Sequence, residues 1–168
     1  MRTDTYDAHC RDPIIKGKIL SVQYAVHWYG AGAAHPNMYF LTYSFLLDPL
    51  TLLSSTEEIF INSSDALEII QRHVRSVLMS SLSMDDCDGD SLSDDDASWI
   101  YNGTGGWECF SAFVFAENGI EFLFSPYSVA CYASGPQFAN VPYEQIVHHL
   151  KPAYCYALGV DHLKWQKR

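Results

Sequence analysis

Long apolar runs, clustered basic residues and closely spaced cysteines are all missing from this 168-residue chain, and each absence removes a class of function. No stretch approaches the ~18–20 apolar residues that span a bilayer, so no transmembrane segment is expected. Only 10 Lys and Arg stand against 20 Asp and Glu, without the basic patch that marks a nucleic-acid surface. Cys10, Cys87, Cys109, Cys131 and Cys155 form no CxxC pair and no Cys/His cluster, which argues against zinc. An odd cysteine count leaves at least one thiol free or paired between chains. Cys109 and Cys131, in strand-like apolar segments, read as reduced core residues, while in an oxidising compartment one disulfide of unassigned pairing remains open. The opening MRTDTYDAHCRDP is polar and lacks the apolar core of a secretory leader. It places the protein in the cytoplasm, or in the periplasm or cell envelope if a leader has been trimmed.

Catalytic signatures are missing too. There is no G-x-S-x-G elbow, no phosphate or dinucleotide glycine pattern and no HExxH. The seven histidines are scattered, and adjacent His148 and His149 would point about 100° apart on a helix. Neither a metal site nor a cofactor is expected, and the protein reads as a non-enzyme.

What the chain does have is 48% apolar and 14% aromatic residues, enough for one folded domain. An N-terminal extension over 1–15 precedes a single domain over 16–168. The formal charge of −10 is uneven: Asp85, Asp86, Asp88, Asp90, Asp94, Asp95 and Asp96 sit within DDCDGDSLSDDD, and the remainder holds 13 acids against 10 bases. Residues 83–98 read as an exposed, mobile acidic loop. An EF-hand frame beginning at Asp86 fails, because Ser91 replaces the required glycine and Ala97 the bidentate glutamate. Such a loop suits a solvated surface or a basic partner.

In KGKILSVQYAVHWYG (16–30), Leu20, Val22, Tyr24, Val26 and Trp28 form a wholly apolar alternate face, which predicts a long strand burying that side. NMYFLTYSFLLD (37–48) predicts its antiparallel partner, ended by a DPLT turn. DALEIIQRHVRSVLMSSL (65–82) has apolar residues at helical spacing, with a capping box from Asp65 to Glu68 and a Glu68–Arg72 pair. WECFSAFVFAENGIEFLFSPY (107–127) reads as a hairpin, with Cys109, Phe113 and Phe115 alternating in its first strand and a type I′ turn at Asn118-Gly119. A short helix follows over 142–150, with Pro142 in its first turn. Locally paired strands with helices inserted among them give an α+β fold: an antiparallel sheet packed against the 65–82 helix.

Two features bear on a binding site. In GAGAAHPN (30–37), small residues allow a sharp turn and Pro36 forces His35 to be extended. His35 therefore reads as architecture, its imidazole bonding a backbone group, rather than as a general base backed by Asp48 or Glu121. Tyr127, Tyr132 and Tyr143, with Phe138, fall in or beside turns, either covering the sheet or offering a recognition surface.

GAGAAHPN (30–37), FLFSPYSVACYASG (122–135) and VPYEQI (141–146), in that order, resemble the RsiV-like domain family across roughly 16–150. That family includes the extracellular lysozyme-binding part of the anti-sigma factor RsiV and domains found beside peptidoglycan deacetylases. The resemblance implies an α+β protein-binding module working near peptidoglycan. It also implies that Gly32, His35, Pro36, Asn37, Pro126, Gly135, Pro142 and Tyr143 build family-specific turns. Signalling as in RsiV needs a spanning helix and a sigma-binding segment, and neither is found in these residues. The expectation is a soluble inhibitor or immunity protein that captures a basic lysozyme-like hydrolase or toxin through the seven aspartates of 85–96, Tyr127 and Tyr132. The alternative is a peptidoglycan-binding accessory or sensor domain, with Trp28, Trp99, Trp107 or Tyr132 stacking on sugars.

Overall fold

Two antiparallel sheets and a long helix stacked in three layers make up the residues that the computed structural model describes, 3–85 and 94–160. The expected α+β class is what the chain adopts. The first sheet contains β1 (Thr5–Cys10), β2 (Ile14–Lys16), β3 (Ile19–Tyr29), β4 (Asn37–Leu47) and β5 (Leu50–Leu53). Its order is β1-β3-β4-β5, with β2 also paired to β3, so residues 5–16 line one edge of β3. β3 and β4 pair along almost their full length, placing Val22 opposite Tyr43 and Ala25 opposite Phe40.

The face of β3 that turns inward is the reverse of the expected one. Ile19, Ser21 and Gln23 are buried, whereas Leu20, Val22 and Tyr24 are only half-buried and Trp28 is exposed. Of the expected face only Val26 is fully buried, and toward that end of the strand the other face opens to solvent at His27. The cause lies in the next sheet, which contains β6 (Phe113–Phe115), β7 (Gly119–Phe124) and β8 (Gln137–Pro142) in that order. The free edge of β6 lies against β3 and β4, and its amides need acceptors. Phe115 N donates to Ser21 Oγ (3.0 Å), Phe113 N donates to Thr42 Oγ1 (3.0 Å), and Ser21 shares a hydrogen bond with Ser44 (2.9 Å). Hydroxyls face inward because buried backbone amides must be paired.

The second sheet is buried on both sides. Val114 and Leu123 meet Phe40 of the first sheet, while Phe115, Ile120, Phe122 and Phe124 pack toward α1 (Ser63–Asp85). Ile70, Val74 and Leu78 line the helix face that completes this core. α1 begins earlier than the apolar spacing suggests. Asn62 caps it, its Oδ1 accepting from Ser64 N and Asp65 N (3.2 and 3.4 Å), which displaces the expected cap at Asp65. Glu68 and Arg72 pair at 3.0 Å on the exposed side.

Three further expectations are corrected. Residues 83–98 are not one loop: α1 runs on to Asp85, and α2 (Asp94–Asn102) starts inside the acidic run. Aspartates at a helix N-terminus are favourable against its dipole, and Ile100 is fully buried, so a loop-like composition folds as helix. The first hairpin strand is only three residues long, because Trp107–Phe110 is a 3₁₀ turn that holds Cys109 out of the strand. Residues i and i+3 eclipse in such a turn, so Trp107 stacks on Phe60 (5.6 Å) while Phe110 meets Phe122 (4.9 Å). The hairpin turn is not type I′, since neither Asn118 nor Gly119 has positive φ. Gly119 instead begins β7, where a Cβ would overlap the Val141 carbonyl.

The expected helix over 142–150 is α3 (Tyr143–Ile146) followed by a 3₁₀ turn, Val147–His149. Pro142 ends β8 and caps α3 instead of entering its first turn. α4 (Pro152–Leu158) closes the described chain. No described helix is long and apolar enough to cross a membrane.

Candidate functional site

Asp95, Ser98, Trp99 and Asn102 lie at i, i+3, i+4 and i+7, so α2 presents them on one face. That face, with Gly103, Tyr127 and Ser128, lines a cleft of about 510 Å³. α1 holds α2 in place. Thr104, fully buried, donates to the Ile100 carbonyl (2.7 Å) and accepts from Arg75 Nε (2.8 Å), while Gln71 Nε2 donates to the carbonyls of Thr104 and Gly105 (2.8 and 2.9 Å). Gly103 lets the two walls meet, since a Cβ there would overlap the Ser128 carbonyl.

The opposite wall comes from a turn over Ser125–Ser128, closed by Ser128 N donating to Ser125 O (3.0 Å). Its third residue, Tyr127, has φ of 71°, the one positive φ among the described non-glycine residues. A turn that places φ > 0 at this position normally takes glycine there, and a bulky residue is strained by roughly 1 kcal/mol or more. The ring is nevertheless 50% exposed, projecting beside the cleft. It belongs to a series of four rings: Trp99 to Tyr127 (6.2 Å between centroids), Tyr127 to Tyr132 (5.5 Å) and Tyr132 stacked on His35 (3.9 Å).

His35 anchors the far end of this series. Its Nδ1–H donates to the Pro36 carbonyl (3.0 Å), a carbonyl that also accepts from Tyr132 Oη (2.6 Å). That bond selects the tautomer whose Nε2 accepts from Tyr127 Oη, at 3.4 Å. Both ring nitrogens are therefore engaged within the turn cluster.

The other expected site residues are dispersed. Asp95 lines the cleft, and Asp96 is close enough to Cys131 to oppose ionisation of its thiol. Asp86, Asp88 and Asp90 lie outside the described residues, as do the side chains of Asp85 and Asp94. Gly32 occupies the β3–β4 turn with φ of 98°, Asn37 opens β4 opposite Trp28, and Gly135 has φ of 67° beyond a 3₁₀ turn at Tyr132–Ser134. Pro126 is the second residue of the Tyr127 turn. Tyr143 is buried in the core and donates to the Ala116 carbonyl (3.0 Å), so it takes no part in a surface. Cys131 is exposed, not core; hydrogen bonds from Ser134 to its sulfur hold its thiol below the usual range. No disulfide joins the described cysteines.

Trp99 was an expected sugar-stacking candidate, but Ser98, Asn102, Gly103 and Ser128 were not anticipated. The helical spacing of 95, 98, 99 and 102 was the available signal, masked by reading the Asp-rich stretch as loop.

A carboxylate beside two exposed ring faces is a receptor for an organic cation such as a Lys or Arg side chain, through ion pairing and cation–π attraction worth roughly 0.5–2 kcal/mol. Among the described residues no three His, Cys, Asp or Glu side chains converge as metal ligands.

Residues 57–144, just over half of the chain, match the model of a protein family of unknown function, DUF3298. The fold is similar to that of a DUF3298 family member from Bacteroides fragilis NCTC 9343, with TM-score 0.61 and 21% identity over 88% of this chain and 54% of that one. It is also similar to a DUF3298 family protein from Pseudomonas aeruginosa PAO1, with TM-score 0.60 and 11% identity over 88% of this chain and 63% of that one. The chain thus spans less than two thirds of either structure. No curated protein matches it.

Proposed function

The chain belongs to the DUF3298 family, and on that footing we propose that it is a non-enzymatic protein-binding module. Its role is that of an inhibitor or immunity protein that captures a basic lysozyme-like peptidoglycan hydrolase or toxin. The observation that carries this reading is Tyr127. A half-exposed aromatic ring held in a backbone conformation that favours glycine, beside Asp95 and Trp99, is maintained at a cost to stability. Strain of this kind concentrates at ligand clamps. The RsiV-like resemblance supplies the partner class, because the Tyr127 turn lies in one of the motifs that carry it. The acidic run leading into α2 along the chain suits a basic partner, accelerating encounter more than tightening the complex.

Calorimetric titration with a basic c-type lysozyme at low and moderate salt, with a cell-wall hydrolysis assay alongside, tests the proposal. One-to-one binding with loss of lytic activity is the expected result. Tyr127→Gly, which relieves the backbone while removing the ring, should weaken binding about 10- to 100-fold without loss of stability. Absence of binding at both salts eliminates lysozyme. The toxin reading is then tested with the product of the adjacent gene.

The Trp99–Tyr127 wall also favours a second reading, since exposed rings stack on sugars. Co-sedimentation with purified peptidoglycan separates the two, because an inhibitor need not bind the polymer.

A further inference from the structure

We propose that the chain forms a homodimer through the outer face of its first sheet. This inference is independent of the cleft. Cross-strand pairing places Val22 against Tyr43, Tyr24 against Leu41 and Val26 against Tyr39, on the side away from β6; Val26 itself is fully covered by its neighbours. Tyr39, Leu41 and Tyr43, at the middle of β4, remain 38%, 38% and 42% exposed. The same face continues onto β1 through the Tyr6–Trp28 pair and onto β5 through the Leu52–Phe45 pair.

Two observations select a second copy of this chain as the occupant. The first is charge. Every Asp, Lys and His in the five strands (Asp7, His9, Lys16 and His27) alternates onto the inner side, leaving the outer face without any charged residue. Two copies of a chain carrying −10 repel wherever carboxylates face one another. This face lets them meet without that repulsion, and it offers a basic partner nothing to pair with. The second is area. Strands of 6, 3, 11, 11 and 4 residues, at ~3.3 Å per residue and ~4.8 Å between strands, give a face of about 550 Å². That is at the upper end of the ~300–600 Å² of the largest patch on a typical monomer, and two such faces together, about 1,100 Å², clear the ~1,000 Å² expected of a specific interface. Related by a two-fold axis, the sheets would pack face to face about 10 Å apart, their strands about 30° from parallel. The Tyr6 and Tyr39 hydroxyls bond each other at 3.2 Å and so carry a satisfied polar rim into the interface.

Sedimentation velocity of the full chain between about 1 and 200 µM tests this inference. The expected result is a concentration-dependent shift to twice the monomer mass. Leu41→Lys, which sets two ammonium groups against an apolar interface, should raise the dimer dissociation constant at least about 100-fold while far-UV circular dichroism is unchanged. Tyr43→Lys serves if Leu41→Lys does not fold. Ile61→Lys, at an exposed position off the sheet, should leave the dimer intact. A single-chain mass at every concentration, or a dimer indifferent to both sheet variants, overturns the proposal.

Discussion

Ser21→Ala probes the inverted face of β3 directly. The Ser21 hydroxyl, 1% exposed, accepts from the Phe115 amide at 3.0 Å and shares a 2.9 Å hydrogen bond with Ser44, itself 2% exposed. Removing it deletes two hydrogen bonds and strands a donor on the fully buried Phe115, where no partner replaces it. A lost hydrogen bond costs about 1 kcal/mol, and a stranded buried donor about 1–3 kcal/mol. The sum expected here is about 2–4 kcal/mol, or roughly 4–16 °C in Tm for a domain of this size. Val22→Thr is the matched comparison. It introduces a hydroxyl on the half-buried outer face and should cost less than about 1 kcal/mol, and Ser21→Thr should retain most of the wild-type stability. Urea unfolding followed by circular dichroism measures all three. If Ser21→Ala were neutral and Val22→Thr costly, the apolar side of β3 would be the buried one, and the docking of β6 on inward-facing hydroxyls would be wrong. The outer-face dimer would then lose its basis.

Three titratable groups lead to further predictions. Burial, with the Glu117 carboxylate adding to it, pushes the Tyr143 phenol well above its ordinary range. The folded state thus holds that proton more tightly than the unfolded chain, and the resulting stability is present below pH ~10 and lost as pH rises above it. Tyr143→Phe should cost about 1 kcal/mol at neutral pH, through its bond to Ala116, yet flatten the alkaline loss of stability; an unchanged alkaline slope would refute this. Hydrogen bonding from Ser134 lowers the Cys131 thiol, whereas burial raises that of Cys155. Iodoacetamide at neutral pH, read by peptide mass mapping, should therefore label Cys131 well before Cys155, and Ser134→Ala should slow that labelling.

Much of the fold was legible in the chain. The β3 and β4 strands, a helix packed on an antiparallel sheet, and a hairpin within 107–127 follow from alternation and helical spacing, which local sequence encodes directly. Tyr127 and Tyr132 stood out as turn aromatics, and His35 as the corner of a proline-locked turn. α2 was hidden because aspartate serves both a solvated loop and a helix N-terminus, and only the burial of Ile100 distinguishes them. The Asn118-Gly119 pair misled for a similar reason: its glycine answers to the Val141 carbonyl on another strand, not to the turn.

The sequence by itself determined that β3 and β4 would be strands and the body of α1 a helix, and that β3 would have one apolar side. Only the tertiary structure decided which side turns inward, because that depends on amides of β6, 94 and 71 residues further along the chain, finding acceptors on Ser21 and Thr42. The same holds for the cleft. Asp95, Trp99 and Tyr127 converge because Thr104 and Gly103 set α2 against the Ser125–Ser128 turn, a convergence that no spacing along one segment could encode.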